Sequence, residues 1–452
     1  MVVMVEERTW TQATEELVQH LQALIRCRTV NPPGNEIEAA KYLAQVLKAE
    51  GLEPMVLESA PGRGNVVVRL KGSGDAPPLL LLSHTDVVPV EPEHWTHDPF
   101  GGEVADGMVW GRGALDMKGI VAMQLMTVLL LHRHRVPLKR DVIFAATADE
   151  EAGGEYGIGY LVREYPDLVR AEVALSEFGG FNLDIYGRRF YLVQAGEKGI
   201  CQFTLRARGA PGHGSTPHED NAVVKLAHAV ARLGKARLPY RRTRVAEAFI
   251  QGVASRLDGT ARHLVNSLLH PTTATVVLRS NVLPPHFARL TYPMLHNTVT
   301  PTMLQAGQKV NLIPSVAEAV VDARILPGEN QETLFTQVRA VIGSEYELEV
   351  YAYGDPLEQP LDTPMWQLLV ERLEAHDPEA RVVPFLLTGA TDAKWLNKLN
   401  IPCYGFAPMR FPPNMNFRAL VHGHDERIPI SALAFGLPIL YEVVATYAGQ
   451  GG

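Results

Sequence analysis

Apolar residues recur first at helical spacing. Leu17, Val18, Leu21, Leu24 and Ile25 fall on one face, and Ile37, Ala40, Leu43 and Leu47 repeat the pattern until Gly51 stops it. Asn31-Pro32-Pro33-Gly34 breaks the chain between these two predicted helices. The period then changes. Residues 66–68, 79–82, 142–146 and 173–175 are short unbroken apolar runs, with an apolar helix beginning near Lys118 between the second and third. Short apolar strands alternating with helices predict a sheet buried on both faces, hence an α/β domain. From about Glu197 the texture shifts. Residues 201–208 alternate as a half-exposed strand does. A helix over 222–233 follows, then a long stretch bearing Pro and His to about Pro301, then a strand over 317–325. After Pro327 helices and apolar runs return, including 368–373 and 401–406. The pattern predicts an α/β domain made of residues 1–196 and 328–452, interrupted by a smaller α+β domain over 197–327. No internal repeat is visible.

Length supports two domains, because 452 residues exceed what one hydrophobic core usually holds. The 42 basic and 50 acidic residues give a net charge of −8, which offers no basic face for nucleic acid. The pairs Arg188-Arg189 and Arg241-Arg242 read as solvated loop charges. Cys27, Cys201 and Cys403 are too few and too scattered for a disulfide framework or a cysteine zinc site, which points to a reducing compartment. The start of the chain, Met1 to Arg8, lacks the charged and apolar regions of a signal sequence. The apolar run over 120–131, taken as the longest, is interrupted by Gln124 and Thr127 and falls short of the roughly 20 residues a bilayer needs. A cytoplasmic protein without a membrane partner is expected.

The candidate chemistry sits where strands end. His84 and Asp86 follow the 79–82 run, Asp149, Glu150 and Glu151 close the 142–148 run, and Glu177 closes the 173–175 run. In open α/β sheets ligands bind beyond the carboxyl ends of the strands. Carboxylates gathered at one such edge repel one another unless a cation sits among them, so the pattern predicts a metal site. Asp86 is placed to accept the second imidazole N–H of His84. Each feature also has a plainer explanation: a loop histidine, a solvated acidic triplet, and, for Asp116 in the Gly-rich 111–119 segment, a helix cap. The segment lacks the Gly-Lys-Ser/Thr of a phosphate loop, and no Gly-x-Gly-x-x-Gly joins a strand to a helix.

Seven stretches occur together and in order. They are Ser83-His84-Thr85-Asp86-Val87-Val88-Pro89, residues 110–119 from Trp110 to Gly119, Ala148-Asp149-Glu150-Glu151 with Gly153-Gly154, Gly212-His213-Gly214-Ser215, Asn311-Leu312-Ile313-Pro314, Asp322-Ala323-Arg324, and His422-Gly423-His424-Asp425-Glu426-Arg427. With them the chain resembles, over nearly its whole length, the M20 metallopeptidases, a group that includes carboxypeptidase G2, aminoacylase-1, succinyl-diaminopimelate desuccinylase and acetylornithine deacetylase. The resemblance implies a zinc-peptidase-like α/β catalytic domain with a mixed, mostly parallel sheet, and an inserted α+β domain that acts as lid and dimerisation domain. It implies two Zn2+ per subunit, with Co2+ or Mn2+ as substitutes. His84, Asp116 and Glu177 would hold one ion and Asp116, Glu151 and His422 the other, Asp116 bridging. His422 is preferred to His424 because the family ligand stands four residues before a Glu, here Glu426. Glu150 would be the general base, Asp86 would orient His84, and His213 would reach the partner's active site in a homodimer to stabilise the oxyanion. Arg324 would bind a substrate carboxylate, and Lys394 stands where the family often has Arg. The activity implied is amide hydrolysis of small peptides or N-acyl amino acids, of carboxypeptidase, dipeptidase or aminoacylase type. Glu177 at its ligand position leans toward carboxypeptidases and acylases. A biosynthetic N-deacylase of acetylornithine or succinyl-diaminopimelate type is the alternative within the enzyme class. A catalytically inactive ligand-binding dimer is the alternative outside it, opposed by the presence of every metal ligand and of Glu150.

Overall fold

The runs that end in His and acid residues become neighbouring strands. In a computed structural model that describes residues 7–449, Leu79–His84 lies between Val142–Thr147 and Val173–Ser176 and is parallel to both. Residues 1–6, on which the absence of a signal sequence mostly rests, lie outside the described residues. Cys403–Gly405 adds a fourth parallel strand beside Val173–Ser176. Outside these four the pairing turns antiparallel. Gly64–Leu70 and then Met55–Glu58 extend one side, and Arg188–Glu197 pairs with Cys403–Gly405 on the other. The sheet is therefore mixed, with parallel pairing among these four central strands.

Burial explains the unbroken apolar runs. Every residue of Leu79–His84 and of Val142–Thr147 is buried, and the helix Lys118–Arg133, buried from Lys118 through Leu131, packs on both strands. A helix apolar all round has to be enclosed, and Glu7–Arg26 and Ile430–Ala448 enclose this one. Ile430–Ala448 corrects the expectation that 120–131 is the longest apolar stretch. By length and composition alone it could cross a bilayer, yet 56% of its most apolar part is buried inside the protein. Glu442 interrupts its apolar sequence, and Tyr441 is 1% exposed.

The chain divides into two compact units, Met1–Ala195 with Gln359–Pro384 and Thr391–Gly452, and Gly196–Glu358 with Phe385–Ala390. The second has an antiparallel sheet in the order Thr298–Ala306, Val316–Ile325, Gly199–Arg208, Glu347–Gly354. Alternate residues of Gly199–Arg208 are buried under the helices Ala222–Lys235 and Gln331–Ile342. This corrects the expected boundary at 327: both Gln331–Ile342 and Glu347–Gly354 complete the second unit's core, so it runs on to Glu358. The long stretch bearing Pro and His up to Pro301, to which the sequence pattern assigns no element, holds helices at Arg244–Ser255, Gly259–Asn266, Pro271–Arg279 and Pro285–Leu295. Pro271 and Pro285 start helices there, where the missing N–H costs nothing, so proline marked beginnings and not breaks.

Candidate metal centre

Strand geometry delivers three of the expected residues to one edge. His84 ends its strand, Glu177 directly follows Val173–Ser176, and Glu150 opens a single 3-10 turn, Glu150–Ala152, just past Val142–Thr147. Asp116 comes from the segment leading into Lys118–Arg133, and His422 from the turn after the short helix Phe417–Leu420.

These side chains form two groups that share one carboxylate. His84 Nε2 lies 3.2 Å from Asp116 Oδ1 and 3.4 Å from Glu177 Oε2. His422 Nε2 lies 3.1 Å from Asp116 Oδ2 and 3.2 Å from Glu151 Oε1. Asp116 thus turns one oxygen to each group, and within each group the candidate donor atoms all lie within 4.8 Å of one another. The donor set, imidazole nitrogen with carboxylate oxygen, suits a divalent metal such as zinc. A second observation favours a cation: Glu151 Oε1 and Glu177 Oε2 are buried and face only the histidine of their own group, with no regular hydrogen bond to either. His424 belongs to neither group and bonds Glu91 at 2.9 Å, so the choice of His422 agrees with the geometry.

Electrostatics tells the same story. Burial pushes the Glu177 carboxyl up to about 8, despite the His84 charge beside it. Burial and the Glu177 charge hold Glu150 well above the ordinary carboxylate range. Burial disfavours the charge on His84, but Glu177, Asp116 and Asp86 outweigh it and raise the histidine well above its usual value. Hydrogen bonding to Asp116 and Glu151 raises His422 to about 10. The acids and histidines of the cluster thus stabilise one another's charges, and a metal ion held among them would supply positive charge directly to the carboxylates.

The supporting residues explain how the cluster is held. His84 Nδ1 faces the main-chain oxygen of Asp86 at 3.1 Å and its Oδ1 at 3.3 Å, contacts that fix the direction of the imidazole. The same Asp86 carboxylate accepts the N–H groups of Glu150 and Glu151, each at 3.1 Å, and the Asn31 amide at 2.9 Å. One buried acid therefore fixes both a ligand and the turn that carries Glu150. Asp86→Asn should weaken metal binding by about 10–100-fold, the usual cost of losing an outer partner, as read by competition with a chromogenic chelator. Asp149 is not a ligand. Its carboxylate accepts from Arg63, Asn31 and the Tyr156 N–H, tying the turn to the neighbouring strand.

Glu426 does the same for Asp116. It is fully buried and accepts the N–H groups of Gly113, Leu115 and Asp116 at 3.0, 2.8 and 3.1 Å, while pairing with Arg112. Arg112→Met should cost about 3–5 kcal/mol of stability by leaving that carboxylate without its cation, visible as a lowered urea midpoint. Three non-glycine residues around the site have left-handed backbones: Asp149 at φ 74°, Phe178 at φ 57° and His422 at φ 60°. Such conformations persist where the surroundings demand them, and here each belongs to or borders a candidate ligand or base. No part in the site was readable for Asn31, Arg63 or Arg112 from the sequence, since each acts through folding partners far along the chain.

The remaining expected residues belong to neither ligand group. Lys394 starts the last turn of a short helix, Ala393–Asn397, next to Asp392, whose buried carboxylate has no hydrogen bond and is pushed up to about 7 by burial, against the pull of Lys394. His213 and Arg324 belong to the second unit. His213 is exposed, on a two-residue strand paired with Leu312–Ile313, with Nδ1 2.7 Å from the Ser215 hydroxyl. Arg324 donates twice to Asp322, at 2.7 and 3.1 Å, so its fork already has a carboxylate partner.

A sequence profile of the peptidase family M20/M25/M40 matches residues 80–446, a span that takes in all the candidate metal ligands. The chain belongs to this family. It is similar to N-fatty-acyl-amino acid synthase/hydrolase PM20D1 of Homo sapiens, 30% identical over 377 residues that cover 81% of this chain and 73% of the relative. It is 28% identical to aminoacylase-1 of Sus scrofa over 437 residues, covering 94% of this chain and 93% of the relative. The fold is that of the M20 family metallo-carboxypeptidase Sso-CP2 from Sulfolobus solfataricus, with TM-score 0.68, 19% identity and coverage of 98% of this chain and 99% of that one. Membership in this family makes this chain a metal-dependent hydrolase.

Proposed function

We propose that this M20 hydrolase cleaves the amide bond of N-acyl amino acids or small peptides at a two-metal centre, with zinc as the metal. The observation that carries the reading is the shared Asp116, one oxygen to each candidate group. The relatives' names support the substrate class, since they denote a hydrolase of N-acyl amino acids and an aminoacylase.

His84, Asp116 and Glu177 would hold one ion and Asp116, Glu151 and His422 the other. Bound there, two such ions would polarise the carbonyl and make water acidic enough to attack near neutral pH. The remaining chemistry belongs to the chain. Glu150 lies outside both ligand groups, and its raised basicity suits a carboxylate that takes a proton from the attacking water and returns it to the leaving amine. Asp86 keeps that carboxylate in place by holding its N–H, and keeps His84 oriented. In our reading Arg324 receives a substrate carboxylate, exchanging its bond to Asp322, and His213 serves as an oxyanion donor. Lys394, beside Asp392, is assigned to substrate binding in place of the family's Arg.

We also propose a homodimer formed through the second unit. The edge strand Thr298–Ala306 exposes Met303 and Leu304, each 65% accessible, an arrangement that invites a partner strand. Sedimentation velocity checks it, and a monomer at micromolar concentration would count against it.

The test of the substrate class is a matched panel of dipeptides, N-acyl amino acids and their C-terminal amides, incubated with zinc-loaded protein. Cleavage only where the carboxylate is free supports the acylase or carboxypeptidase mode. Equal cleavage of amides bearing a free amine would replace it with an aminopeptidase-like mode.

A further inference from the structure

Acidic residues are absent from one long part of the second unit. The chain has 50 of them among 452 residues, yet none falls between Asp258 and Glu318. That span begins with the helices Gly259–Asn266, Pro271–Arg279 and Pro285–Leu295, which carry Arg262, Arg279 and Arg289, all exposed. Arg262 donates to the main-chain oxygens of Ala254 and Leu257 at 3.2 and 2.7 Å, and Arg289 to that of Pro285 at 3.3 Å. Just before the span the arginines are paired: Arg241 with Glu329 at 3.8 Å, Arg242 with Glu247 at 3.4 Å and Arg244 with Glu358 at 3.5 Å. Within it the sequence leaves no neighbouring acid to do the same.

Aliphatic side chains stand out among these cations. Along Pro271–Arg279 only Ala274 is buried, while Thr272, Val276 and Arg279 are exposed at the spacing of one helix face. Val276 is 61% accessible. The left-handed Asn281, at φ 53°, then turns the chain so that Val282 is half exposed and Leu283 is buried. His286 and Arg289, three residues apart, continue outward on Pro285–Leu295, whose Phe287, Leu290 and Met294 point into the protein. The inward side is therefore an ordinary core, and the valines outside it are not displaced core residues.

We propose that the outer face of the helices from Gly259 to Leu295 docks on an anionic lipid bilayer and holds the protein at a membrane surface. The inference does not depend on the amide-hydrolase reading. Charge complementarity carries it: the whole chain has a net charge of −8, so an anionic surface attracts the acid-free helices while repelling the rest, which also sets the orientation. Each arginine brought to such a surface should strengthen binding about five-fold. Exposed valines between arginines suit the boundary of a bilayer, where guanidinium groups meet phosphate and aliphatic groups meet hydrocarbon. Nucleic acid would satisfy the arginines but offers little to Val276 and Val282, because its bases are bound by polar or stacking aromatic side chains. The expectation of no membrane partner rests on the lack of a long apolar run, which a surface contact does not need.

The experiment sediments the full-length, zinc-loaded protein with vesicles of phosphatidylcholine, alone or with about 30% phosphatidylglycerol. The expected result is binding to the anionic vesicles at low salt, about 25-fold or more above the neutral ones, and its loss at about 1 M salt, where charges are screened. Arg279→Gln combined with Arg289→Gln should weaken that binding about 25-fold. Val276→Asn should weaken it about three-fold by removing apolar contact. Arg188→Gln, at an exposed position of the first unit, should leave it unchanged. All these substitutions are at exposed side chains, so an unchanged thermal midpoint confirms that the variants are folded. Equal binding to both kinds of vesicle, binding to neither, or full binding by the Arg279 and Arg289 double variant overturns the proposal. Retention on immobilised heparin without vesicle binding overturns it too, because the face would then fit a soluble polyanion instead of lipid.

Discussion

Glu150→Gln should bind metal as the wild type does and lose about 10²–10⁴-fold in kcat, the contribution of a positioned proton acceptor. That corresponds to roughly 3–5 kcal/mol in the barrier. The metal should stay because Glu150 belongs to neither ligand group. The turn should stay because it is held through the main-chain N–H of residue 150, 3.1 Å from Asp86, which glutamine retains. What glutamine cannot do is accept a proton. Because that task arises only in the transition state, KM should move little. Metal analysis alongside steady-state kinetics checks both halves. A variant that turns over within a few-fold of wild type would remove Glu150 from the role of base.

Asp116→Asn attacks the geometry from the other side. Asp116 is the one residue that serves both groups, through Oδ1 toward His84 and Oδ2 toward His422. Asparagine keeps one oxygen and replaces the other with an amide that cannot ligate, so one group retains three donors and the other is left with two. Bound metal should fall from two equivalents to one or fewer. Affinity at the damaged group should drop by more than about 100-fold, beyond the cost of losing a mere outer partner. Activity should fall with occupancy and return only partly at high metal. The segment itself should hold its shape, because its N–H groups remain bonded to Glu426. Unchanged stoichiometry by plasma emission spectrometry would mean that the two groups are not one bridged centre.

Much of this centre was legible in the sequence, for a physical reason. Strands buried on both faces read as unbroken apolar runs, so a polar residue at the end of one, such as His84 or Glu177, stands out against it. Their convergence on one edge follows from parallel pairing, which the alternation with helices predicts. The long-range contacts that hold the site together were not legible. Arg112 and Glu426 are 314 positions apart, and nothing local marks them as a pair. Left-handed backbones at Asp149, Phe178 and His422 carry no glycine to announce them. The second unit's extension to Glu358 was hidden because Glu347–Gly354 alternates like any edge strand and reveals its partner only on pairing with Gly199–Arg208.

The central claim, that turnover depends on two metal ions bridged by Asp116, is tested most directly by titrating the chelated protein with Zn2+ while following hydrolysis of an N-acyl amino acid. The account predicts no turnover in the chelated protein, and activity that rises with bound metal and levels off at two equivalents per chain. Full turnover without metal, or saturation at a single equivalent, would contradict it.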